Sequence, residues 1–229
     1  MTTRCRENSV TDMRRFFILV LALLLLLTAC NKDKSSQKDL VRFLRDDDGY
    51  GATNTESGLH YTALPLYFES VGSGEAVGEY YDADFDYSVT YHQIPGVDTT
   101  AFLVDSEMSV WFADATQQEP IPSALTPTAL LVCEEGVISS VLFRLNVSTH
   151  ADVVAEALSL WFEGEATVRP ESAPTLLRGI KLVSEELTGI YYCFTFAMYG
   201  EDAYFYEIFT GRTVALPAAL AAYFVNYQT

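Results

Sequence analysis

The chain has 229 residues, 49% of them hydrophobic and 13% aromatic, with a formal net charge of −17, a composition that excludes a disordered chain. Nine of the 14 Lys and Arg precede residue 46, and from residue 46 to 229 five cations stand against 27 acids, a net of −22. This excludes nucleic acid as a partner, because phosphate contacts need clustered basic residues, and it reads as a solvated acidic face that favours solubility.

Arg14 and Arg15 precede an unbroken apolar run over 16–27, followed by Thr28, Ala29 and Cys30, which are the basic, apolar and small-residue parts of a secretory signal. As a helix, 12 residues reach roughly 18 Å, short of a hydrocarbon core of about 30 Å, so the run reads as a cleaved signal and not a span. Because the signal is complete from Met13, that methionine is the expected true start. Leu27, Thr28, Ala29 and Cys30 resemble the lipobox of bacterial lipoproteins. The resemblance implies removal of residues 1–29, diacylation of the Cys30 sulfur, and an anchor on the extracytoplasmic side of a bacterial membrane. Two acyl chains suffice for stable anchoring where one does not. Lys32, Lys34, Lys38, Arg42 and Arg45 then lie next to the lipid, each contributing about 1 kcal/mol of attraction to an anionic surface. Residues 31–38 are polar and read as a flexible spacer. Leu40, Val41, Phe43 and Leu44 recur at helical spacing, so residues 30–49 are expected to form a lipidated tether with a short helix.

Residues 50–229 read as a single acidic extracytoplasmic domain. Residues 49–58 are turn-forming, and 59–69 is strand-like with Pro65 interrupting the ladder. Over 81–92, Tyr81, Ala83, Phe85, Tyr87, Val89 and Tyr91 alternate with Asp82, Asp84, Asp86, Ser88, Thr90 and His92, a period-2 pattern that predicts one strand with a wet and a dry face. Strands are predicted over 101–104 and 108–113. Residues 114–127, with three prolines, mark a candidate internal boundary or a long loop. A strand over 129–133, a turn at Glu134, Glu135 and Gly136, and a strand over 137–147 follow. Thr149 and Asp152 resemble a helix start, and Val153, Val154, Ala157, Leu158 and Trp161 line one helical face that ends at Gly164. Strand-like runs over 178–186, 190–199 and 203–210 precede a closing helix that Pro217 opens.

Strands grouped with occasional helices, without a strand-helix-strand repeat, indicate an α+β fold with a largely antiparallel sheet. LPLYF at 64–68, the acidic-aromatic stretch, the helix near 150–163 and the run IYYCFTFAMYGEDAYFYEIF resemble PsbP/Mog1-type α/β sandwiches, which occur in bacterial lipoproteins. ALSLWFEG, a proline loop and two strands over 157–196 resemble, more faintly, the domain of GerM-type sporulation lipoproteins. Each resemblance is a hint of topology and transfers no functional residue.

Chemistry is sparse. His60, His92 and His150 lie in unrelated contexts and read as surface or structural histidines. No nucleophile elbow, phosphate-binding loop or zinc-helix motif is present. Cys133 and Cys193 fit either a disulfide or buried free thiols, and no basic neighbour marks a nucleophile. Asp82, Asp84 and Asp86 match the opening of a calcium loop, but Tyr87 stands where the loop needs glycine and Gln93 where it needs glutamate, so strand alternation is the preferred account and neither metal nor cofactor is expected. Asp46, Asp47 and Asp48 read as a solvated run. These features favour a non-catalytic cell-envelope lipoprotein whose domain binds an envelope protein, peptide or glycan. The alternatives are a hydrolase using paired carboxylates, or a carbohydrate- or peptide-binding module presenting Tyr80, Tyr81 and Tyr87 beside the aspartates.

Overall fold

A computed structural model of the chain describes residues 40–115, 118–134 and 140–225. The expected signal segment, Cys30, the spacer and the turn at Glu135 and Gly136 lie outside the described residues. The fold is α+β and rich in antiparallel strands. The first half of the domain is a closed barrel of β1 (Val41–Arg45), β2 (Gly51–Asn54), β3 (His60–Ala63), β5 (Ala76–Asp82), β6 (Tyr87–Gln93), β7 (Phe102–Asp105) and β8 (Val110–Ala113), in the order β1-β2-β3-β8-β7-β6-β5. Barrel closure was not expected from the sequence. It comes from a short parallel pairing of β1 with β5, Val41 opposite Gly78 and Arg42 opposite Glu79. Gly78 permits it, since a Cβ there would stand 2.3 Å from the Phe43 ring and 2.6 Å from the Val41 carbonyl oxygen.

Three expectations are corrected here, the first being that residues 49–58, read as turn-forming, contain the barrel strand β2 paired to β1 and β3. Residues 41–45 form β1 and not a helix, so the compact unit that runs from Val41 takes in the second part of the expected tether. The helical spacing of Leu40, Val41, Phe43 and Leu44 is overridden by pairing to β2 and β5, which buries Phe43 inside the barrel. The single strand over 81–92 is instead the hairpin β5–β6, turning at Ala83, Asp84, Phe85 and Asp86. Asp82 makes the turn: its Oδ1 accepts the backbone N–H of Asp84 at 2.9 Å and of Phe85 at 3.4 Å, an Asx-type bond that imitates a backbone turn. Asp86 completes it with φ +48°. Phe85 is therefore 81% exposed, while Val89 is fully buried as expected.

The second sheet runs β10-β9-β11-β12-β13-β14 and consists of β9 (Pro127–Glu134), β10 (Val141–Asn146), β11 (Leu176–Ser184), β12 (Ile190–Tyr199), β13 (Asp202–Tyr206) and β14 (Thr213–Leu216). The last of these had no counterpart in the sequence reading. Beside β13, the other half of the β12 edge pairs with β4 (Phe68–Ser70), which follows Pro65 and leaves the barrel half. Residues 114–127 carry the chain between the sheets, with a short 3-10 turn at Pro122–Ala124. They separate no domains, for the described residues from Val41 onward form one compact unit.

Helix α1 (Val147–Glu163) buries Val154, Ala157, Leu158 and Trp161, as its spacing predicts. It starts two residues before the Thr149 signal and breaks helical geometry at His150, with φ −135° and ψ 39°. Trp161 stacks on Phe194 at 5.0 Å and donates its ring N–H to the Tyr192 hydroxyl at 2.8 Å. Burial pushes that hydroxyl's pKa up to about 12. Arg212 donates to the Trp161 and Gly164 carbonyls at 2.7 and 3.0 Å, placing a cation where the helix dipole is negative. Helix α2 (Ala218–Val225) follows Pro217 as expected and buries Leu220, Ala221 and Phe224.

The barrel interior holds Phe43, Ala52, Tyr61, Val89, Tyr91, Leu103, Trp111 and Ala113. A larger core lies against the second sheet and takes Phe102, Val104, Val110 and Phe112. Alternate residues of β7 and β8 thus serve two cores, which is why FLVD and VWFA are buried along their whole length. Asp105, 1% exposed, accepts the N–H groups of Glu107, Ser109 and the Trp111 ring at 2.9, 2.9 and 3.0 Å. The Arg45 guanidinium stands 3.7 Å from it and donates to the Tyr91 hydroxyl at 3.2 Å.

Candidate functional site

On the face of the second sheet away from α1, five sequence-distant pieces enclose a groove of about 300 Å³. Its floor is Gly179 on β11 and Cys193 and Thr195 on β12, with Leu66, Tyr67 and Glu69 along one wall and Glu207, Ile208 and Phe209 along the other. Glycine at position 179 keeps the floor low beside Cys133.

Lys181 stands opposite Cys193 and Glu69 opposite Tyr191, so the Lys181 and Glu69 side chains meet diagonally across β12, with Nζ 2.5 Å from Oε2. Burial works against the Lys181 charge, but the Glu69 hydrogen bond and charge outweigh it and the net shift of its pKa is upward. Burial, and after it the Glu69 carboxylate, push the Cys193 thiol well above its ordinary value. Burial raises Cys133 too. Both thiols are free, which answers the question left open by the sequence. They lie on β9 and β12 with β11 between, so about two strand spacings, roughly 9–10 Å, separate strands whose Cα atoms would have to come within about 7 Å to be bridged.

Glu207 is buried, and its carboxylate accepts the backbone N–H groups of Phe209 at 2.5 Å and Thr210 at 2.7 Å. This folds the loop after β13 so that Ile208 and Phe209 stand outward, 70% and 63% exposed, facing an exposed Leu66. Three carboxylates, Glu69, Glu134 and Glu207, thus meet one groove, a convergence that nothing in their sequence spacing signals. Glu69 is held by Lys181 and Glu207 by the backbone.

The residues singled out from the sequence are not brought together. His60 is clasped between Asp46 and Asp114, with Nε2 3.0 Å from Asp46 Oδ2 and Nδ1 2.5 Å from Asp114 Oδ2. The Asp46 hydrogen bond is the largest cause that raises its pKa. The contact passes over Gly51, where a Cβ would lie 2.0 Å from Asp46 Oδ2. The carboxylates approach opposite ring nitrogens and so do not converge on a common point. His92 faces the Gly74 carbonyl oxygen at 3.2 Å, and His150 lies 2.8 Å from the Thr149 hydroxyl. Among the described residues, no group of three or more His, Cys, Asp or Glu is arranged to hold a metal.

Asp84 and Asp86 sit in the hairpin turn, and Asp82 is the last residue of β5, so the three do not line one strand face. Asp82 is used by the turn and by the Tyr80 hydroxyl at 3.2 Å, and Asp86 accepts the Tyr81 hydroxyl at 3.1 Å. Tyr81 and Tyr87 are exposed, while Tyr80 is half-buried beneath the Arg45 guanidinium. Because Tyr81 opposes Ser88 and Tyr87 opposes Asp82, the two exposed tyrosines stand on opposite faces of the hairpin.

Comparison with protein-family models, with curated proteins and with solved structures finds no match to this chain. Among the described residues, no helix is long and apolar enough to cross a membrane.

Proposed function

We propose that this chain is a lipid-anchored envelope protein whose folded domain is a non-catalytic binding module, with the groove over β11 and β12 as its contact surface. The anchor rests on the lipobox-like Leu27, Thr28, Ala29 and Cys30 and on the basic residues that follow. The contact role is carried by one observation: the groove has an apolar rim of exposed Leu66, Ile208 and Phe209, while within it Glu69 and Lys181 satisfy one another and Glu207 is satisfied by the backbone. The rim offers area to a partner, and a thiol held protonated by burial is a weak nucleophile. A hydrolase using two carboxylates is the second reading, supported by the meeting of Glu69, Glu134 and Glu207 in one groove.

The test places a photo-cross-linking side chain at position 209 and, as a control, at exposed position 201, in the anchored protein in its own membrane. A discrete adduct is expected from 209 alone, lost on Ile208→Asp. Adducts from both positions, or from neither, overturn the contact reading. Turnover of an envelope polymer that disappears in Glu69→Gln favours the hydrolase. Detergent partitioning checks the anchor: Cys30→Ser is expected to release the protein into the aqueous phase, and a variant that remains membrane-bound and uncleaved refutes lipidation.

A further inference from the structure

The hairpin β5–β6 outruns its neighbours. β1 pairs with β5 only as far as Glu79, and β7 pairs with β6 only from Tyr91 onward. From Tyr80 and Val89 to the turn, the hairpin is a two-stranded ribbon with no flanking strand. An unsupported ribbon is marginal in water, and here the Asp82 turn bonds and the Tyr81 bond to Asp86 brace it. The Tyr87 hydroxyl donates to the Glu107 carboxylate, joining the ribbon to the turn between β7 and β8.

This end of the barrel leaves several large apolar groups in water. Phe85 is at the tip, Tyr81 and Tyr87 are on the two faces, and Met108, 55% exposed, is in the adjoining turn. The core is complete without them, so their exposure is not a shortage of interior space. Between them stand Asp82, Asp84, Asp86 and Glu107. In residues 41–113 the only Lys or Arg residues are Arg42 and Arg45, and Arg45 is turned inward to Tyr91 and Asp105.

We infer that the ribbon tip is a docking surface for a Lys- or Arg-rich segment of a partner protein. Aliphatic stems of Lys and Arg lie along aromatic side chains while their charged ends reach carboxylates, and cations favour the faces of tyrosine and phenylalanine. The same charge repels an anionic lipid surface and nucleic acid. The tip is distinct from the groove, so this inference stands or falls apart from the reading of that surface.

The test uses the full chain in detergent and a fluorescein-labelled decapeptide of alternating Lys and Ala, followed by anisotropy at low and physiological salt. Binding that weakens with salt is expected, together with a loss of about tenfold or more in Phe85→Ser and in Asp84→Asn. Glu201→Gln, remote from the ribbon, should leave it unchanged, and the same peptide with Glu for Lys should not bind. Equal binding by the parent protein and Phe85→Ser would show bulk attraction to an acidic body and overturn the inference. Failure of the lysine peptide to bind would overturn it too, as would displacement of that peptide by a neutral oligosaccharide, which would assign the tip to glycans.

Discussion

Substituting Ala for Gly51 breaks one arm of the His60 clasp without altering any titratable group. The new Cβ would stand 2.0 Å from Asp46 Oδ2 and 2.7 Å from His60 Nε2, so Asp46, already 48% exposed, must swing off the ring into water and the His60 ring must shift slightly. An exposed ion pair contributes about 0.3–1 kcal/mol. Against this, Gly→Ala at an ordinary φ narrows the unfolded ensemble and stabilises by about 0.4–1 kcal/mol. His60 is held above its ordinary pKa, so the clasp contributes fully below the unfolded value of about 6.5, and that contribution is lost as pH rises through the higher folded value. At pH 6 the two terms nearly cancel, and Gly51→Ala should match the parent. At pH 9 the clasp contributes less than at pH 6, and the variant should be the more stable, by up to about 0.4–1 kcal/mol. Urea melts of both proteins at the two pH values measure this. A difference between parent and variant that does not change with pH, or that moves toward the parent at high pH, refutes the clasp as a charge-dependent contact. His60→Gln should flatten the pH dependence in both.

Two further outcomes follow from the cores. Asp105→Ala strands the Arg45 guanidinium and orphans three N–H donors, an expected loss of about 3–5 kcal/mol in denaturant melts; a loss below about 1 kcal/mol would mean that the network is not what holds this end of the barrel. Phe205→Ala, at a fully buried ring packed on Phe194 and Phe224, should cost about 3–5 kcal/mol, whereas Phe85→Ser should stay within about 0.5 kcal/mol. Equal costs would return Phe85 to a core.

Where a stretch's local pattern agrees with its tertiary role, the sequence was legible. The α1 face of Val154, Ala157, Leu158 and Trp161 is an example, as are the apolar runs of β7 and β8 and the opening of α2 after Pro217. Two failures share one cause, since residues 41–45 and 81–92 each satisfy a periodicity that the fold does not use. Asp82 to Asp86 contains no glycine, proline or asparagine, so a turn built from one aspartate side chain was hidden inside a perfect alternation. β14 (TVAL) is as short as β7 and β8 but lacks the aromatic and branched apolar run that marks them. The groove was invisible for a different reason. Glu69, Glu134, Lys181, Cys193 and Glu207 come from five separate segments, and their meeting depends on strand order, which periodicity does not encode.

β4 and the doubly buried β7 and β8 bear on the order in which this chain can become a protein. Phe68 finds its strand partner at Tyr192, and the outward faces of β7 and β8 find theirs in a core built mostly from residues beyond 129. A chain that has emerged only as far as residue 114 can pair most of its barrel strands and still presents Phe68, Phe102, Val104, Val110 and Phe112 to water. Such long-range closure slows folding and prolongs the exposure of apolar surface. The barrel is therefore not a module that can be cut out or moved by itself. The first half has to be shielded until the second half arrives.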